Sequence, residues 1–166
     1  MQAQAAHEGM RPAAYGRALI DILDGAALFS GFAWAELEVI GRHMMAFEAD
    51  CGHLLFRQGE PGDRLYILVS GSIETFKQDA ERSRAVIATD GAGKSVGEMA
   101  LIDGEPRSAS CVVLEPSVLL ALSRESFDKL ARAQPAIALR VLSRVARLIS
   151  RRLRATSGQL AEYLHG

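Results

Sequence analysis

A chain of 166 residues with 49% hydrophobic and 23% charged side chains is long enough for one domain with a substantial core, burying roughly 70% of its extended-chain surface on folding. Its net charge of −1 excludes a generally basic, nucleic-acid-binding surface, and no apolar run approaches the roughly 20 residues of a membrane span. Cys51 and Cys111 share no Cys-x-x-Cys spacing, and His7, His43, His53 and His165 are too scattered to seat a metal, so neither a disulfide framework nor a metal site is expected.

In chain order, Met1 to Ala14 lack an apolar secretory core; the expected location is the cytoplasm, and this stretch is expected to be disordered. From Tyr15 to His43 apolar residues recur at helical intervals (Ile20, Leu23, Leu28, then Leu37, Ile40, Met44), with Ser30 and Gly31 punctuating two short helices. From Met45 to Ser123 the period changes. Short apolar runs such as "RLYILVSG", "SIETFKQ", "RAVIATD" and "VLLALS" are separated by "GEPGD", "SGS", "DAERS" and "DGAGKS", the rhythm of a sandwich or barrel.

From Arg124 onward the pattern is helical again. Ser123 is placed to cap one helix and Pro135 to start another, whose buried stripe includes Ile137, Val141, Val145 and Leu148. The expected fold is therefore α+β: an antiparallel β-barrel or jelly roll of about eight strands over 45–123, flanking N-terminal helices, a short inserted helix, and two C-terminal helices over 124–155, all within one domain, 15–166.

The stretch "GEMALIDGEPRSAS", Gly97 to Ser110, interrupts the strand series. "EMALID" suffices for one docked helical turn, and Gly97 lets backbone approach a ligand. Arg107, stiffened by Pro106, offers a forked, permanently charged donor suited to a phosphate. Glu98 can only accept hydrogen bonds, so a hydroxyl pair such as a ribose edge is its natural partner. A ligand with hydroxyls at one end and one anionic phosphate at the other satisfies both, which describes a cyclic nucleotide.

The stretch resembles the phosphate-binding cassette of the cyclic nucleotide-binding domain family, a Gly-Glu-hydrophobic-Ala-Leu turn followed by Pro-Arg, a small residue, Ala and Ser or Thr. Here these are Gly97-Glu98-Met99-Ala100-Leu101 and Pro106-Arg107-Ser108-Ala109-Ser110. The similarity extends through "LFRQGEPGDRLYILVSGSIE", with turn glycines Gly59, Gly62 and Gly71, and covers about Ala27 to Arg154.

The resemblance implies that Glu98 accepts the ribose 2′-hydroxyl and Arg107 pairs with the exocyclic phosphate oxygens. Ser108 and Ala109 complete the phosphate cradle, and Gly97 and Met99 line the ribose side. Val96 stands where relatives often carry phenylalanine, which is expected to loosen the pocket. Ser108 after the arginine favours cAMP, with cGMP the alternative; no cofactor is expected.

Arg140, Arg144, Arg147, Arg151 and Arg154 form a basic stripe on the last helix. It reads as a solvated face, with Arg144 the candidate lid over the base. Binding is expected to draw the cassette inward and to shift the helices around "RESFDKL" and Pro135.

The expected role is a sensor module without enzymatic activity, with a protein effector and a homodimer through the long last helix among its partners. A fold-retaining interaction module without nucleotide stays open beside it. Only "ATSGQLAEYLHG" follows Arg154, so no DNA-binding domain is expected. Met1 suggests a complete short protein; a piece of a channel, kinase or transcription regulator is the alternative.

Overall fold

The computed structural model describes residues 10–16, 18–78 and 83–165. The N-terminal part contains β1 (Arg11–Ala13), α1 (Ala18–Gly25), a 3-10 turn (Ala27–Phe29) and α2 (Trp34–Gly41). The sheet region follows as β2 (Met45–Ala49), β3 (Leu54–Phe56), β4 (Arg64–Ser70), β5 (Ser72–Gln78), β6 (Arg84–Gly91) and β7 (Ser95–Val96). A single helical turn, α3 (Met99–Ile102), precedes β8 (Ser110–Val113) and β9 (Ser117–Ser123); α4 (Arg124–Ala133) and α5 (Pro135–His165) complete the chain.

The strands form two antiparallel sheets, β1-β2-β9-β4-β7 and β3-β8-β5-β6, in a jelly-roll sandwich. Nine strands are present among the described residues and the sheets do not close into a barrel. Three of the four edge strands, β1, β3 and β7, are only two or three residues long, so their ladders end before they can reach the facing sheet.

The apolar runs of β4 and β9 are continuous because both faces of the first sheet are covered. Leu65 and Ile67 of β4, with Leu120 and Leu122 of β9, pack under the helices beside Leu23, Phe29, Leu37, Ile40, Leu130, Val141 and Val145. The alternate residues Tyr66, Leu68, Leu119 and Ala121 face the second sheet with Phe47, Phe56, Ile73, Cys111 and Val113. The layers are thus helices, sheet, sheet. Each Leu or Phe fully buried this way contributes about 1.5–3 kcal/mol against the entropy of ordering the chain.

Two boundaries differ from the sequence expectation. Residues 1–9 of the stretch expected to be disordered lie outside the described residues, while Arg11–Ala13 pair with β2. Met10 is buried in the inter-sheet core and the Arg11 guanidinium meets both Asp50 carboxylate oxygens at 3.2 Å, contacts with no local sequence signature. At the other end α5 continues past 155 to His165. Val141 and Val145 hold its first half on the core, and from Ser150 to Glu162 every residue is exposed.

The helix ends follow capping chemistry. Ser123 Oγ accepts the Ser126 amide at 3.1 Å and starts α4, and Pro135 opens α5. The Glu36 carboxylate accepts the Ala33 amide at 2.8 Å at the start of α2 and also binds Arg140 of α5, so α2 and α5 are linked through one side chain.

Candidate functional site

The cassette sits between β7 and β8. Gly97 leaves β7 at φ +78, a backbone region that costs a residue with a Cβ, and directs the chain into α3. That turn is closed by Ala100 N–H to Gly97 O (3.3 Å), Leu101 N–H to Glu98 O (3.0 Å) and Asp103 N–H to Met99 O (3.1 Å). Four residues cannot hold a helix alone. Leu101 anchors this one in the helix-side core, and Arg124 at the start of α4 donates to the Ala100 carbonyl.

Arg107 is fixed through its backbone by the turn after β3. Its N–H donates to Glu60 O and its carbonyl accepts the Gly59 N–H, both at 2.8 Å. Gly62 lies directly beneath: a Cβ there would stand 2.9 Å from Ala100 Cβ and 3.4 Å from Arg107 Nε. The Arg107 guanidinium stacks on the Phe56 ring at 4.2 Å, with Nη1 donating to Gly97 O at 3.1 Å and Nη2 to Arg64 O at 2.8 Å.

The residue is 7% exposed, and burial draws its pKa below the usual arginine value while leaving it charged. Its Nε has no hydrogen-bond partner, the one such buried side-chain nitrogen or oxygen among the described residues. Among those residues no carboxylate lies within ion-pair distance of it; the nearby Asp63 is taken by Arg64 at 2.6 Å. A buried ion without a counter-ion costs several kcal/mol, so this guanidinium is suited to an anion.

Glu98 is the second anchor. Its side chain is 3% exposed, Ser95 Oγ donates to Oε1 at 2.6 Å and Arg152 Nη1 donates to Oε2 at 2.9 Å. Each oxygen keeps a second lone pair for a hydroxyl donor. A buried acceptor-only group and a buried donor-only group therefore flank one short turn, the arrangement a ligand with hydroxyls and an anion requires.

A model of the family described as "Cyclic nucleotide-binding domain" matches residues 47–134, a span that contains β3 to β9 and the whole cassette. The chain belongs to the cyclic nucleotide-binding domain family. It is 34% identical over 83% of its length to the cyclic AMP receptor protein of Thermus thermophilus. It is 26% identical over 87% of its length to a CRP-like cAMP-activated global transcriptional regulator of Mycobacterium tuberculosis. The chain spans 62% of the length of each of these curated relatives. A crystal structure of a cyclic nucleotide-binding domain from Methylobacillus flagellatus KT superposes with a TM-score of 0.83 at 29% identity, covering 96% of this chain and 92% of that one.

Within this family frame, the structure brings Gly97, Glu98, Met99 and Arg107 around one turn. Met99 is 46% exposed, Ser108 is exposed and Ala109 is buried immediately before β8. Val96 packs in the inter-sheet core, paired with Tyr66. Arg144 is elsewhere: it donates to Ser30 O and lies against Gly31, away from the cassette. The arginine of α5 that does reach the site is Arg152, which the sequence reading missed.

The signal for it was partial: Arg152 continues the inward stripe Val141, Val145, Leu148 at spacings of four, three and four, but Arg144 lies three residues from Val141 and four from Leu148, so the stripe does not separate the two arginines. Gly59, one of the turn glycines of the family-like stretch, is a further support, and Glu60 and Arg64, whose carbonyls receive Arg107, are supports without a local signature. A cleft of about 530 Å³ between β3, β5 and the Arg57–Gly59 turn is lined by neither Glu98 nor Arg107. No group of three His, Cys, Asp or Glu side chains converges as a metal site among the described residues, and no helix among them is long and apolar enough to cross a membrane.

Proposed function

We propose that the chain is a cytoplasmic, non-catalytic sensor module that binds a cyclic nucleotide, cAMP in preference to cGMP, and reports it through α4 and α5. The observation that carries this is the buried Arg107 guanidinium, with an unpartnered Nε and no carboxylate, one helical turn from the buried acceptor Glu98. In this reading Arg107 takes the exocyclic phosphate oxygens, assisted by Ser108 and Ala109. Glu98 takes the ribose 2′-hydroxyl, with Gly97 and Met99 beside it.

The preference for cAMP is supported by Ser108 after the arginine and by relatives named for cAMP. Movement of the cassette reaches α4 through the Arg124–Ala100 hydrogen bond, which supports a shift of the C-terminal helices and, through them, of an effector. Leu139, Leu153 and Leu160 are exposed on α5 at multiples of seven residues, with Ala146 filling the series. This apolar seam supports a homodimer of paired α5 helices.

One observation favours a second reading, an interaction module that binds no nucleotide: Glu98 is already hydrogen-bonded by Ser95 and Arg152. Calorimetric titration with cAMP and cGMP, on the wild type and Arg107→Ala, separates the two. Micromolar or tighter cAMP binding that the variant loses is the expected result. No heat and no thermal shift with either nucleotide would overturn the sensor reading and leave the interaction module.

A further inference from the structure

The exposed half of α5 is held to the rest of the molecule at one point. Between Ser150 and Glu162 no residue is buried. Among the described residues, the side-chain hydrogen bonds from this segment to other elements are the two made by Arg152: Nη1 to Glu98 Oε2 at 2.9 Å and Nη2 to Ser95 O at 2.7 Å. Beyond Ile149 the helix therefore has little apolar packing to fix it, and its position depends on this fork.

The same fork acts on the carboxylate. Ser95 holds Oε1 and Arg152 holds Oε2, so the plane of the Glu98 carboxylate is fixed from both sides. Arg107 does not share this task, since its Nη donors go to Gly97 O and Arg64 O. Arg152 is 44% exposed while Glu98 is 3% exposed, so the guanidinium sits at the solvent boundary with its charge partner beneath it. A charge-assisted, two-pronged contact of this kind is stronger and more directional than an exposed ion pair between flexible side chains.

We propose that Arg152 is a positioning residue of the hydroxyl-binding half of the site: through Glu98 it fastens the distal half of α5 to the cassette and carries ligand occupancy into that helix. The ligand part of this rests on the nucleotide reading above. A ligand hydroxyl donating to a free lone pair of Glu98 leaves the Arg152 contact in place and adds a third donor to a carboxylate already aligned. Ligand binding and docking of the distal helix then favour one another, because both require Glu98 in this orientation.

The test combines amide hydrogen exchange over residues 150–162 with calorimetry on the full chain, using cAMP and 2′-deoxy-cAMP as probes. In ligand-free protein, Arg152→Gln and Glu98→Gln are each expected to speed exchange in this segment about three- to tenfold, with no further gain in the double variant. Arg152→Gln is expected to weaken cAMP about three- to tenfold and to leave 2′-deoxy-cAMP unchanged, with Arg152→Lys recovering part of the loss.

Unchanged exchange in both single variants, or additive exchange in the double variant, would overturn the tie between α5 and the cassette. Equal weakening of both nucleotides, or of neither, would overturn the positioning role. If the wild type binds neither nucleotide, the nucleotide reading fails and the ligand part fails with it, while the ligand-free exchange comparison still decides the Arg152–Glu98 tie.

Discussion

Arg107 Nη1 donates to the carbonyl of Gly97 at 3.1 Å, and a Cβ on Gly97 would lie 2.5 Å from that same nitrogen. The glycine and the arginine are ten residues apart, yet each defines the room available to the other. The positive φ of Gly97 aims its carbonyl at the guanidinium, and the missing side chain leaves space for it.

Gly97→Ala is accordingly expected to lower stability by about 1–3 kcal/mol, from the strained backbone and the displaced guanidinium together. Urea unfolding checks this, with Gly25→Ala, where a Cβ meets nothing within 4 Å, as the comparison. Equal midpoints for the two variants would contradict the packing described for Gly97.

Arg107→Met separates stability from binding. The cost of burying the guanidinium without a counter-ion is offset by its hydrogen bonds to Gly97 O and Arg64 O and its stacking on Phe56, so replacing it by an apolar side chain, which removes both, is expected to change unfolding free energy by less than about 1 kcal/mol while abolishing nucleotide binding. Arg107→Lys keeps the charge but loses the fork, and is expected to bind at least tenfold more weakly than wild type, by roughly the value of one charged hydrogen bond. Thermal unfolding and calorimetry on the same samples measure both.

The Ala33 amide, and then Arg140, hold the Glu36 carboxyl below its ordinary value of 4.5. A depressed carboxylate contributes stability above its unfolded pKa and loses it as pH falls through the folded value, so the α2–α5 link should weaken below about pH 4.5. Glu36→Gln is expected to lower the melting temperature at pH 7 and to narrow the difference from wild type as pH falls toward 3. A constant difference across that range would show that Glu36 acts by packing alone.

Burial pushes the Cys111 thiol up to about 12, while Cys51 is exposed and its thiol reaches the Leu114 carbonyl at 2.9 Å. Thiol titration with an aromatic disulfide at pH 8 is expected to count one reactive group in the folded protein and two in denaturant. Two fast thiols in the native state would mean that the inter-sheet core opens around Cys111.

Leu153→Glu and Leu160→Glu place charges in the exposed seam of α5, where neither residue supports the domain's own core. Both are expected to shift the protein from dimer to monomer by light scattering without changing its melting temperature at low concentration. A wild type that is monomeric at every concentration would remove the seam's assigned role.

Much of this was legible along the chain because the information is local. Gly97, Glu98 and Arg107 fall within eleven residues, and their chemistry and spacing restrict the ligands they suit. The strands of the first sheet were readable because continuous apolar runs such as "RLYILVSG" mark burial on both faces. Ser123 and Pro135 announced the helix starts through capping rules that act over three residues.

The remainder depended on contacts between distant segments. Arg144 and Arg152 look alike in sequence. Their roles separated only when packing of Val141 and Val145 fixed the rotation of α5, sending Arg152 to Glu98, 54 residues away, and Arg144 to Ser30. The pinning of Arg107 by Gly59 and Glu60, the pairing of β1 with β2, and the open sandwich in place of a barrel likewise follow from hydrogen bonds across the fold.

The type of fold, the two charged anchors and the glycine between strand and turn follow from periodicity and residue chemistry, which act at short range. Which arginine of the last helix meets the cassette, and which carbonyls receive Arg107, is set by contacts between distant segments. Those choices follow from how a helix is rotated about its axis as its apolar stripe is buried, and the stripe itself does not record the identity of its partners.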